Sequence, residues 1–276
     1  SSVHRPFGRM KASPLMLLSP AKTLNFDSAL SPALRSLTPT EPRFLERCSA
    51  LADRVGSMSK SEIKSLMSLS DSLAQLNHAR YSAFAEQPAR IALGAFEGAA
   101  YKGLQASTLD TKQLEYLSRS LRILCGQYGI LLPTDEIRPY RLEMSTKLAV
   151  GDAPNLYKYW GDSLTASLRA EEPPFVVNVA SQEYAKALDM GALGCPVITC
   201  VFPGPAVHAK QARGEMVRFC AEQQVVEPAG LRAFRGSSGQ WSFVEAESSE
   251  TTLVFHRGAA ASAAKPKAPA AGKRKR

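Results

Sequence analysis

Apolar and polar positions in this chain fall into blocks of different period. Leu15-Met16-Leu17-Leu18 is a short continuous apolar run and predicts a buried first strand. Residues 25–42, rich in Ser and Pro, read as a long connection. From Phe44 to Val55 and from Ser59 to Ala85 the apolar residues recur at helical spacing. In the second stretch Ile63, Leu66, Met67, Leu69, Leu73 and Leu76 supply the buried face. Ser59 with Glu62 predicts a capping box at its start. Leu156 to Arg169 reads as one helix with an aromatic beginning. Phe175 to Ala180 is the clearest strand, Ser181 to Lys186 a polar helix start, and Cys195 to Phe202 a second buried strand. Val207 to Gln224 is a basic amphipathic helix, and Gln240–Glu245 with Thr251–His256 alternate as a terminal hairpin. The order predicts an α+β single large domain, a mixed sheet flanked by helices.

One stretch carries a sharper expectation. Leu114, Leu117, Leu121 and Leu124 recur at helical spacing, Gly126 stops the pattern, and Gly129 follows after Gln127 and Tyr128. Helix, tight Gly-x-x-Gly turn and apolar restart describe a helix-hairpin-helix, whose glycines admit a phosphate to the backbone N–H groups. The same pattern also describes an ordinary helix–turn–helix packing corner. Pro133 and Pro139 limit any second helix to a short one.

Composition narrows the partners. The net charge is +9, but it sits at the ends. Residues 1–14 carry Arg5, Arg9 and Lys11 and no acid; residues 259–276 carry six Lys and Arg and no acid. With those set aside, the 15–258 body carries as many cations as anions, 25 of each. Any nucleic-acid affinity of the body must therefore come from a local patch. The 1–14 segment reads as a solvated basic leader or the remnant of a transit peptide, and 259–276 as a disordered basic tail. Its final Lys273-Arg274-Lys275-Arg276 suits nucleic-acid adhesion or a nuclear address. No apolar run approaches a membrane span. The five cysteines have no paired or zinc-finger spacing and read as free thiols in a reducing, cytoplasmic setting. No cofactor loop or metal box is present, and a monomer is expected.

Candidate site residues are scattered. Lys22, in Ser19-Pro20-Ala21-Lys22-Thr23 past the first strand, is either an anion holder or a solvated loop lysine. Arg141 and Glu143 share one side of an extended segment, as an ion pair or a polar cleft wall. Lys210, Gly214 and Arg218 lie on one stripe of the 207–224 helix, with Arg213 beside them. Gly214 implies a close approach by a neighbouring helix or by a ligand backbone.

Together these stretches resemble the YaaA family of peroxide stress resistance proteins. The matching segments are Ser19 to Leu24, Tyr101-Lys102-Gly103-Leu104, Gly126 to Gly129 and Pro139 to Met144. Further on come Leu156-Tyr157 with Trp160-Gly161-Asp162, Asn178 through Tyr184, and Ala209-Lys210 with Ala212-Arg213-Gly214 and Met216. They occur in family order across residues 15–257. The resemblance implies the cantaloupe fold, with a helix-hairpin-helix beside a positively lined cleft. It also implies DNA binding without strong sequence preference, and protection during hydrogen peroxide stress through low free intracellular iron. Leu132 stands where the family usually has arginine, and Ser145 where it usually has glycine.

The leading expectation is a DNA-binding stress protein using Lys22, Gly126, Tyr128, Gly129, Arg141, Lys210, Arg213 and Arg218. The alternative is an enzyme acting on a nucleotide or damaged nucleic acid, with Glu143, Asp162, Asn178, Ser181 and Glu183 as polar cleft groups. Direct iron sequestration finds no ligand spacing in support.

Overall fold

The computed structural model describes residues 13–258; the basic leader up to residue 12 and the 259–276 tail lie outside the described residues. The strands in chain order are β1 (Leu15–Leu18), β2 (Thr23–Leu24), β3 (Arg90–Ile91), β4 (Phe96–Glu97), β5 (Leu121–Cys125), β6 (Gly129–Leu131), β7 (Glu136–Ile137), β8 (Val176–Asn178), β9 (Val197–Val201), β10 (Trp241–Phe243) and β11 (Thr252–Arg257). The helices are α1 (Pro32–Arg35), α2 (Leu45–Gly56), α3 (Lys60–Met67), α4 (Asp71–Ser82), α5 (Ala92–Ala95), α6 (Ala99–Leu104), α7 (Thr111–Ser120), α8 (Leu156–Trp160), α9 (Ser163–Arg169), α10 (Gln182–Ala185) and α11 (Ala206–Gln223).

Seven strands form one sheet in the order β10-β11-β9-β8-β1-β5-β6. The inner five run parallel, and β6 and β10 pair antiparallel at the two edges. This is the expected mixed sheet flanked by helices. All four residues of β1 are buried, as befits a central parallel strand covered on both faces. The expected strands at Phe175–Ala180 and Cys195–Phe202 form β8 and β9, and the terminal hairpin forms β10–β11. The Ser59–Glu62 capping box is present. The 59–85 stretch breaks at left-handed Ser68 into α3 and α4, and Leu73 and Leu76 face outward.

The helix-hairpin-helix expected at Gly126–Gly129 is not there. Helix α7 ends at Ser120, and Leu121 to Cys125 continue as β5, which turns through Gly126–Tyr128 into β6. A short stretch with four apolar residues among five suits a buried strand as well as a helical face, and here the sheet claims it. The turn is sealed. Gln127 is fully buried; its amide donates to Cys48 O at 2.8 Å and accepts from Tyr81 Oη at 3.0 Å. Tyr128 Oη accepts from the Arg138 N–H at 2.8 Å. The glycines do permit close approach, but of the chain to itself. A Cβ on Gly126 would sit 2.4 Å from Leu142 O; one on Gly129, at φ +72°, would press Trp160 and Leu164.

Helix α11 packs on α6 by a reciprocal pair of glycines. A Cβ on Gly214 would meet Ala100 O at 1.7 Å, and one on Gly103 would meet Gln211 O at 2.2 Å. Gly214 therefore answers to a neighbouring helix, not to a ligand. The expected 156–169 helix is interrupted at Gly161, into α8 and α9. Its aromatics are structural: Trp160 Nε1 donates to Gly126 O at 3.0 Å, and the Arg47 guanidinium lies 4.7 Å over the Trp160 ring.

Candidate functional site: a two-chambered cleft at the carboxyl ends of the strands

From β1 the chain builds β5 on one side of the sheet and later β8 on the other, so strand order reverses between β1 and β8. Open α/β sheets receive ligands outside the carboxyl ends of the strands at such a point. Here the two strand ends are tied together. Ser19 Oγ accepts from the Ser181 N–H at 2.8 Å and donates to Ser181 Oγ at 3.3 Å. Tyr101 Oη donates to Ser19 O at 3.2 Å and fixes the start of the Lys22 loop.

Above these ends lies a cavity of about 780 Å³. Its floor is apolar, made of Leu18, Leu142 and the edges of Tyr101, Tyr140 and Tyr184. Burial pushes all three tyrosine hydroxyls above their ordinary value, so they stay protonated. Four cations line it: Lys22, Arg141, Lys210 and Arg213. They come from the β1 loop, the extended segment before Met144, and α11. Three carboxylates, Glu97, Glu143 and Glu183, line it as well. A second chamber of about 590 Å³ shares Lys22, Arg141 and Glu143, and adds Lys147 and the end of α3.

The residues between the chambers are linked by charge. Lys22 Nζ lies 2.7 Å from Glu143 Oε2, and Arg141 reaches Glu143 Oε1 only at 4.0 Å. Arg141 Nε is buried without a hydrogen-bond partner. Burial pulls the Arg213 guanidinium below its ordinary value, from a starting point high enough to leave it charged. Neither Lys210 nor Arg213 forms an ion pair with another described residue. Glu183 Oε1 accepts from the N–H and hydroxyl of Ser145, at 3.1 and 2.8 Å. Ser145 thus holds a cleft carboxylate.

Other expected site residues lie elsewhere. Gly126 is buried beneath the Leu142–Glu143 backbone, Gly129 against Trp160 and Leu164, and Tyr128 is buried with them, so no ligand reaches this turn. Arg218 pairs with Glu222 at 2.7 Å, donates to Thr108 Oγ1 at 2.8 Å, and borders a separate cavity with Phe219 and Phe234. Gly214 is one helical turn short of it, filled by α6, and splits the basic stripe in two. Asn178 is occupied in the sheet, accepting from Ala180 N at 3.1 Å, and Asp162 is exposed outside both chambers. Leu132 borders a small surface cavity with Arg43 and Asp135, away from the cleft. Reading along the chain missed Lys147, Glu97 and the tyrosine floor. All three tyrosines lie inside the matching segments, Tyr101 in Tyr-Lys-Gly-Leu, Tyr140 in Pro139–Met144 and Tyr184 at the end of Asn178–Tyr184, but none was singled out as a site group.

The thiols are not poised for peroxide chemistry. Burial pushes Cys125 up to about 11, despite its 2.9 Å contact with Tyr140 Oη, and Cys48 up to about 12. Reaction with peroxide needs a thiolate. Among the described residues no group of three or more His, Cys, Asp or Glu could hold a metal ion, and no helix is long and apolar enough to cross a membrane.

An open, mostly parallel sheet flanked by helices, with a mixed-charge cleft at its switch point, defines a mixed α/β protein. The family model for peroxide stress protein YaaA matches residues 15–247. UPF0246 proteins of Paracidovorax citrulli and Bordetella petrii are 42% and 41% identical, over 88% of this chain and 98% and 99% of theirs. One from Delftia acidovorans is 40% identical, with coverage of 88% and 98%. The chain belongs to the peroxide stress protein YaaA family.

Proposed function

We propose that this protein protects DNA during peroxide stress by gripping its phosphate backbone at the two-chambered cleft. The observation that carries the reading is convergence. In a charge-balanced body, Lys22, Arg141, Lys210 and Arg213 meet at one opening, and Lys147 extends it. Contacts of this kind hold the backbone without reading bases, which gives binding without strong sequence preference. Lysine and arginine on phosphates also release the cations condensed there. Iron bound along the duplex would be among them, which ties DNA binding to lower iron at the site of damage. Binding is preferred to catalysis on one ground. An activated lysine needs burial, whereas the Lys22 side chain is 58% exposed and already paired with Glu143.

The test uses the full chain, tails included, and duplex DNA over a range of salt. Replacing Lys22, Arg141 and Lys210 together by Gln should flatten the slope of log K against log salt by about 2.7, at roughly 0.9 per phosphate contact. The same variant should lose protection of plasmid DNA against Fe(II) and peroxide. An unchanged slope would assign binding to the tails and overturn the reading.

A further inference from the structure

The main chamber is more than a groove wall. A duplex lying across the cleft would meet its exposed cations, yet the cleft also holds a partly open volume of about 780 Å³ with apolar groups in its lining. That volume suits a small molecule, within the roughly 300–1,000 Å³ of such sites. Its lining offers Tyr101, Tyr140 and Tyr184, the Ser19 and Ser181 hydroxyls, and the cations Lys22, Arg141, Lys210 and Arg213. Aromatic groups and cations in one lining are what a nucleotide needs, for its base and for its phosphate.

The mouth also contains an unfilled demand. Arg141 Nε is a buried donor without an acceptor, and a buried donor left unmatched is costly. Beside it, the Glu143 carboxylate sits between Lys22 at 2.7 Å and Arg141 at 4.0 Å. Glu143 is well placed for Lys22 and poorly placed for Arg141. A phosphate has more acceptor oxygens than a carboxylate and can serve both.

We propose that the main chamber receives a single nucleotide, its phosphate displacing Glu143 from between Lys22 and Arg141 and its base resting against the tyrosine floor. The site is that of the DNA-binding reading and rests on it. The nucleotide is either unstacked from bound DNA or free, and the two sources share this chemistry.

Two probes separate them, both with the full chain. Equilibrium dialysis with deoxyadenosine monophosphate should show saturable binding, with deoxyadenosine and inorganic phosphate each at least about tenfold weaker. Arg141→Gln should weaken the monophosphate about tenfold or more, as loss of a charge-assisted contact does. Glu143→Gln should tighten it, because the competing anion is gone. A duplex carrying one 2-aminopurine should brighten several-fold on binding if a base leaves the stack. Duplex binding that depends on the cleft cations, with neither brightening nor monophosphate binding, would overturn the nucleotide site and leave the DNA reading standing. Monophosphate binding without duplex binding would keep the site, name the free nucleotide as its source, and remove the DNA reading. Inorganic phosphate equal to the monophosphate, or Glu143→Gln as weak as Arg141→Gln, would also overturn it.

Discussion

The Ser19–Lys22 loop and the Gly126–Gly129 turn follow neighbouring parallel strands, β1 and β5, at the same edge of the sheet. One opens to a cleft and the other is entombed. The difference is what passes above each strand end. The Lys22 side chain is 58% exposed, whereas the Leu142–Glu143 backbone lies directly over Gly126. A glycine that admits a backbone says nothing about whose backbone arrives. Here it is the segment that carries Arg141 and Glu143, so the buried turn is the support on which the cleft wall rests.

The contrast can be broken at several places. The largest effect belongs to the strand beneath the turn. Arg122, on β5, is buried and binds Glu171, which Arg43 also contacts at 3.1 Å. Arg122→Ala should cost about 3–5 kcal/mol in urea unfolding, since it leaves the partly buried Glu171 carboxylate with only the more exposed Arg43 as partner. Burial pushes the Glu171 carboxyl up, but the Arg122 and Arg43 guanidiniums together outweigh it and hold the net value below the ordinary one. Its contribution to stability is thus present above the unfolded carboxyl value and lost as pH falls through the lowered folded value. Glu171→Gln should flatten that acid limb.

Next comes the turn itself. Gly126→Ala should destabilise by about 1–3 kcal/mol by overpacking against Leu142 O. Lys22→Gln, in the open loop, should stay within about 0.5 kcal/mol. Equal losses in the two would erase the distinction between support and site. Smaller still is the contrast within α11. Arg213→Gln should flatten the DNA salt slope by about 0.9, whereas Arg218→Gln should leave it unchanged, because Arg218 is held by Glu222 and Thr108.

Much of the architecture was legible because its signals are local. The run Leu15–Leu18, the β-rich Phe175–Ala180 and the helix over 207–224 each announce themselves within a few residues. The Gly126 turn was misread because Leu114, Leu117, Leu121 and Leu124 satisfy a helical period, although the last two belong to a strand. Nothing local distinguishes those cases; pairing of Ile123 with Leu18 and with Leu131 does, and that is decided far along the chain. In the same way the residues alone showed Lys22, Arg141 and Lys210 only as cations; the family resemblance, not any local signal, put them in one cleft. Arg218 shares a helical stripe with Lys210, yet Gly214 lets α6 come between them.

The most direct test is lysine footprinting of the full chain with and without duplex DNA. Lys22, Lys147 and Lys210 should be protected from acetylation together, while Lys112, exposed on α7, stays reactive. Protection confined to Lys265, Lys267, Lys273 and Lys275 would show that DNA is held by the tail and would contradict a cleft built to grip it.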